Sequence, residues 1–115
     1  MKIPSAALTA LEQIVGKGNV LTDEVSLALY AYDCSLSRTR PDALVQVPHT
    51  DQVAPVLKIL HRYNIPFVPR ASATNHAGSC AALNGGVILN LAPLNKILQI
   101  DTRHGFAWAE ACAIT

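Results

Sequence analysis

Residues 43–70, ALVQVPHTDQVAPVLKILHRYNIPFVPR, decide how this chain folds. Ala43 to Pro48 is a short β-type run closed by Pro48, which has no N–H to continue a ladder. Thr50 or Asp51 then starts a helix through about Tyr63, in which Val53, Val56, Leu57 and Leu60 recur at the 3.6-residue period. Pro55 is tolerable only because it sits in the first turn. IPFVPR, 65–70, is a second short strand. Strand, helix and strand in succession predict a parallel, right-handed crossover.

Upstream, Ser5 is placed to cap a helix from Ala6 to Val15, with Leu8, Leu11, Ile14 and Val15 on one face and GKGN, 16–19, as its stop. Thr22 or Asp23 can cap a shorter helix through Tyr30, after which DCSLSRTRPD, 33–42, reads as irregular chain. Downstream, GGVILNL (85–91), KILQID (96–101) and FAWAEA (106–111) give a third, fourth and fifth strand. NGG at 84–86 is the turn before the third, and APLNKI at 92–97 the turn before the fourth, with Asn95 a turn former. The alternating apolar residues of FAWAEACAIT, 106–115, expect a neighbouring strand. The expected fold class is α+β with an α/β-like unit: N-terminal helices, the crossover, then further short strands, in one domain over 1–115.

Composition limits what this domain can do. Of 115 residues half are hydrophobic and 15% charged, enough for one modest core of aliphatic side chains and unlike a disordered chain. The formal net charge is +1 and the nine Lys and Arg are scattered, so there is no electrostatic footprint for nucleic acid or an anionic membrane. Cys34, Cys80 and Cys112 form no CxxC pair and leave one thiol over in any disulfide scheme, which fits a reducing compartment; a cytoplasmic location is expected. The N-terminal stretch contains Glu12 and Gln13, unlike the unbroken apolar core of a signal peptide, and no run approaches the roughly 20 apolar residues of a transmembrane segment.

The second strand runs into VPRASATNHAGSC, 68–80, where few side chains exceed threonine in size. Two readings compete. It is an ordinary surface loop of small residues, or the chain is kept thin so that backbone N–H groups can approach a ligand. Its place after a strand of a crossover unit, where open α/β sheets bind ligands, favours function.

From about Leu27 to Thr115 the chain resembles the N-terminal part of the FAD-binding domain of the glycolate oxidase and D-lactate dehydrogenase family, flavoproteins of the vanillyl-alcohol-oxidase or PCMH type. The stretches carrying it are YAYDCS, VQVPHTDQVAPVLKILHRYNIPFVPR, ATNHAGSCAALNGGVILNLAPLNKILQID and GFAWAEA. The family pattern in the loop is Pro-Arg-Gly-x-Gly-Thr-x-x-x-Gly-Gly, and Pro69, Arg70, Thr74, Asn75 and Gly78 occupy matching positions here. The resemblance implies an incomplete FAD-binding domain whose loop, Pro69, Arg70, Ala71, Ser72, Ala73, Thr74, Asn75, His76, Gly78 and Ser79, wraps the FAD pyrophosphate. Ala71, Ala73 and Ser79 replace glycines of the pattern, and in EACAIT Ala111 and Cys112 replace its proline and glycine. If φ is positive at Ala71 or Ala73, the substitution costs about 1–2 kcal/mol there.

The resemblance further implies noncovalent FAD, open to weakening at the lost glycines, since the histidine of covalent relatives falls nearer Thr74 than His76. It implies oxidation of 2-hydroxy acids such as D-lactate or glycolate. The substrate-binding and catalytic groups of that chemistry, with any metal, are expected in a C-terminal half that this sequence does not contain. No catalytic residue is therefore assigned, and the chain is expected to be either truncated or completed by another polypeptide; the alternative is a noncatalytic, partner-docking remnant. His49, His61, His76 and His104 lack the short spacing of a metal pair and read as surface or helix-face residues. Arg70 can pair with a phosphate or cap the strand end. Asp33 is a helix-terminal acid or, by resemblance, a structural contact beneath the flavin domain. Cys34 and Cys80 read as small buried hydrophobes.

Overall fold

The computed structural model describes residues 2–114; Met1 and Thr115, the last residue of the FAWAEACAIT stretch, lie outside the described residues. Helix α1 (Ser5–Val15) leads through a short 3₁₀ turn to strand β1 (Val20–Leu21), and α2 (Glu24–Leu29) follows. Then come β2 (Ala43–Gln46), α3 (Val53–Arg62), β3 (Phe67–Arg70), β4 (Val87–Asn90), β5 (Ile97–Asp101) and β6 (Phe106–Ala109). The mixed helix-and-strand class and the five expected strands are present.

The details differ at helix starts. Pro4, not Ser5, precedes α1 and makes no side-chain cap, so Ser5 is its first helical residue. Asp23 caps α2 by accepting from the Ser26 N–H at 2.9 Å. Neither Thr50 nor Asp51 caps α3: they lie in a 3₁₀ turn, Thr50–Gln52, closed when the Gln52 side chain accepts from the His49 N–H at 3.1 Å. Gln52 also donates to the Ile14 carbonyl, 2.9 Å, tying the start of α3 to the end of α1.

Strand order in the main sheet is β1-β2-β4-β3. The crossover strands β2 and β3 are parallel to β4, but β4 lies between them, so they are not neighbours. The physical reason is burial: VILN of β4 is buried at every position, and only a central place covers both faces of such a strand. Val45, Val47, Val87 and Leu89 pack under α1 and α3 with Leu11, Val56 and Leu60. Leu44 and Ile88 turn to the other face, against Leu27 of α2 and Ala82. β1, only two residues long, has no apolar run of its own to mark it in the sequence; it pairs antiparallel with β2.

Gly86 fixes how β4 enters the sheet. Its φ is +83°, and a Cβ there would lie 2.1 Å from the Pro66 carbonyl oxygen. That same oxygen accepts from the Val87 N–H at 2.9 Å, while the Gly86 N–H donates to the Asp42 carboxylate. β5 and β6 form a separate antiparallel ribbon with a bulge between Ile97 and Gln99.

Candidate functional site

The three parallel strands end level. Gln46, Asn90 and Arg70 stand side by side in the register, so the chain leaving Arg70 emerges at the carboxyl edge of the sheet. Adjacent parallel strands need a connection of a dozen or more residues, commonly a helix. Here residues 71–86 make the connection with neither helix nor strand, and long structureless loops in compact domains are usually functional.

Among the described residues, no main-chain N–H from Ala71 to Ser79 has a protein partner. Ala73 is buried and left-handed at φ 54°, and Gly78 is left-handed at φ 73°. Ala71 and Ser79 have no positive φ, so of the three positions where glycine was expected only Ala73 adopts the backbone that favours it.

Asp33 holds this loop. Buried beneath it, the carboxylate accepts from Ser35 N–H at 2.8 Å, from Asn75 Nδ2 at 2.8 Å and from Cys80 N–H at 3.4 Å. It thus pins the middle and the end of the loop to the 33–38 segment, where Gly78 packs with room for no more than a tight contact to the Ser37 hydroxyl. Hydrogen bonding by Ser35, with help from Asn75 and Cys80, outweighs desolvation and lowers the Asp33 pKa to about 2. α2 ends at Leu29, so Asp33 is not a helix-terminal acid. The stretch YAYD gave the signal, but the burial that makes Asp33 an anchor comes from a loop more than forty residues away.

Arg70 turns its guanidinium back to the Tyr32 carbonyl and lies over the Tyr30 ring, 5.1 Å from its centroid. It therefore fastens the 30–32 segment to the end of β3. Pro69, Ala71, Ser72, Thr74, His76 and Ser79 are exposed, as are all four histidines. His104 pairs with Asp101 at 2.9 Å across the β5–β6 turn. Cys80 is buried as expected; Cys34 is exposed instead, because the turn that buries Asp33 directs its neighbour outward.

The loop also forms one wall of a cleft of about 280 Å³, lined by residues Ala71 to Asn75, by Cys80 and, opposite, by Ala111 to Ile114. The two segments whose glycines are replaced in the sequence therefore meet in space. Burial raises the Cys112 thiol pKa above its ordinary value. Ala111 and Cys112 belong to this wall, although in the sequence they stand out only by departing from a family pattern. Small side chains, main-chain N–H groups without protein partners and a left-handed backbone fit a diphosphate far better than a bulky apolar ligand.

A loop of this kind at the carboxyl edge of a parallel sheet defines a cofactor-binding domain of α/β-like build. The FAD binding domain family matches residues 41–115, and the chain belongs to that family. It is 31% identical over 106 residues to the glycolate oxidase subunit GlcD of Bacillus subtilis, covering 91% of this chain and 23% of that protein. Against the D-lactate dehydrogenase of Anaerostipes hadrus identity is 28% over 107 residues, 87% of this chain and 21% of the relative. The crystal structure of p-cresol methylhydroxylase with substrate bound superposes with a TM-score of 0.78 at 30% identity, over 89% of this chain and 21% of that one. The chain thus spans about a fifth to a quarter of the length of these relatives. Among the described residues no helix is long and apolar enough to cross a membrane.

Proposed function

We propose that residues 1–115 form the N-terminal portion of an FAD-binding domain of a flavin-dependent oxidoreductase acting on 2-hydroxy acids, with FAD held noncovalently at the 69–79 loop. The carrying observation is the cleft in which the Ala71–Asn75 segment, rich in unpartnered N–H groups, faces Ala111–Ile114. At about 280 Å³ it lies just below the roughly 300–1,000 Å³ that encloses a drug-sized ligand, so it takes the pyrophosphate and leaves the rest of FAD to other surfaces.

The residues divide the work of binding. N–H groups of Ala71 to Ser79 are donors to the phosphate oxygens, and Asp33 and Arg70 act beneath them, holding the loop and the strand end in position rather than touching the cofactor. Flavin, once bound, supplies hydride acceptance from the substrate carbon. No side chain of this cleft is placed to bind the substrate carboxylate or to take its hydroxyl proton; those groups lie in the rest of the flavoprotein, whether the same polypeptide or a complementing one carries it. A cytoplasmic location accords with the uneven number of thiols.

A second reading, a partner-docking remnant that no longer holds flavin, draws on the side chains that Ala71, Ala73 and Ser79 place where the family pattern has glycine. One titration separates the two. Binding of FAD to the purified chain, followed by flavin fluorescence quenching, supports a cofactor loop; no binding at high micromolar FAD overturns it. Acid precipitation of the complex should release all flavin into the supernatant, and flavin retained in the pellet would contradict noncovalent attachment.

A further inference from the structure

Among the described residues the buried polar side chains are Asp33 and Asn90. Asp33 anchors the loop directly, whereas neither side-chain bond of Asn90 reaches it. Asn90 follows Val87, Ile88 and Leu89 in the central strand, where a fourth aliphatic residue would fill the place with no polar group to desolvate. A buried amide persists where its hydrogen bonds are met, so its partners show what it fixes.

The Ala92 N–H donates to Asn90 Oδ1 at 3.1 Å, which leaves Nδ2 to donate to the Tyr30 hydroxyl at 3.2 Å. Tyr30 stands at the C-terminal end of α2 and packs against the cluster of Leu27, Leu44, Ala82 and Ile88. Asn90 therefore fixes the tip of a ring whose root the core already holds. Arg70 lies over that same ring while its guanidinium reaches the Tyr32 carbonyl.

Arg70 is the residue from which the loop leaves β3. Its carbonyl accepts from the Leu91 N–H at 2.8 Å, which ties its main chain to the end of β4, and its side chain is tied to residues 30–32. The next residue, Asp33, takes hold of Asn75 and Cys80. One short strap, 30–33, thus grips the loop at its entry, its middle and its exit.

We propose that Tyr30 and Asn90 are positioning residues of the cofactor loop, acting through Arg70. The buried amide orients the Tyr30 ring, the ring holds the guanidinium flat against it, and Arg70 so held sets the direction in which residues 71–73 leave the sheet. The proposal rests on the reading of the 69–79 loop as an FAD site. A loop already in its binding shape gives up less freedom when the ligand arrives. The planar guanidinium is what the ring face requires, and a lysine ammonium does not reproduce it.

Tyr30→Phe deletes only the hydroxyl that Asn90 holds. In amide correlation spectra of the free 115-residue chain it should shift Ala71 to Ala73 most among the loop residues and leave Gly78 to Cys80 nearly unmoved. Asp33→Asn should do the reverse, because its bonds end at Asn75 and Cys80. In FAD titration Tyr30→Phe and Arg70→Lys should each weaken binding about two- to tenfold.

The double variant Tyr30→Phe with Asn90→Leu separates positioning from stability. Replacing both partners of a buried hydrogen bond by apolar groups is nearly neutral for folding, and the exposed Ala92 can bond to water instead. Its Tm should match the parent while its FAD affinity stays lowered. A parent that binds FAD beside variants that bind it equally well overturns the positioning role, and so do residues 71–73 unmoved by Tyr30→Phe. A parent that binds no FAD overturns the site itself and with it any cofactor role for Tyr30 and Asn90.

Discussion

Restoring the three glycines one at a time should sort them into two kinds of position. Ala73 is left-handed, which costs an alanine about 1–2 kcal/mol. Glycine at 73 recovers that amount, loses a buried methyl worth about 0.8 kcal/mol, and adds unfolded-chain freedom worth about 0.4–1 kcal/mol. The sum lies within about 1 kcal/mol of zero. Ala71 and Ser79 have no such strain to relieve, so Ala71→Gly and Ser79→Gly should each lose about 0.4–1 kcal/mol, or about 2–8 °C in Tm for a domain this small. Thermal unfolding by circular dichroism on the three single variants measures this directly. The strain at Ala73 is already present in the free chain, so relieving it acts on the stability balance rather than on FAD affinity, and the FAD titration of Ala73→Gly should match the parent. A Tm for Ala73→Gly as low as that for Ala71→Gly would refute the reasoning, since it would mean that no left-handed strain is held at 73.

Asp33 titrates well below its ordinary 3.8, so the stability it adds is fully present above about pH 4 and is lost as pH falls toward 2; Asp33→Asn should lower Tm at pH 7, with the difference vanishing near pH 2. A difference that persisted unchanged at pH 2 would exclude the carboxylate as the anchor. Gly86→Ala must displace the Pro66 carbonyl that pairs with Val87 and adopt a positive φ, and should cost about 2–5 kcal/mol. Urea unfolding tests it, and a loss under about 1 kcal/mol would show that the Pro66–Gly86 approach yields easily to a methyl group. Alkylation by a maleimide should label exposed Cys34 at the same rate with and without FAD, whereas Cys80 and Cys112, which line the cleft, should be protected by FAD; equal protection of all three would point away from the cleft.

How much of this was legible beforehand follows from the range of the forces involved. Periodicity and caps act within a few residues, so α1, α2, α3 and the strands from 43 onward were readable from neighbours alone. The thin loop and its likeness to a flavin-binding pattern were also readable, since both are matters of residue type in order. Tertiary structure decided what depends on distant chain. β4 took the centre of the sheet between β2 and β3 because it alone among them is buried at every position. Asp33 became an anchor only when Asn75 and Cys80 reached it, and Arg70 turned to Tyr32 only because that segment lies against the strand end. The sequence could name Ala71 and Ala73 as missing glycines. Which of the two bears strain depends on φ, and φ in a loop is set by what the folded chain packs it against.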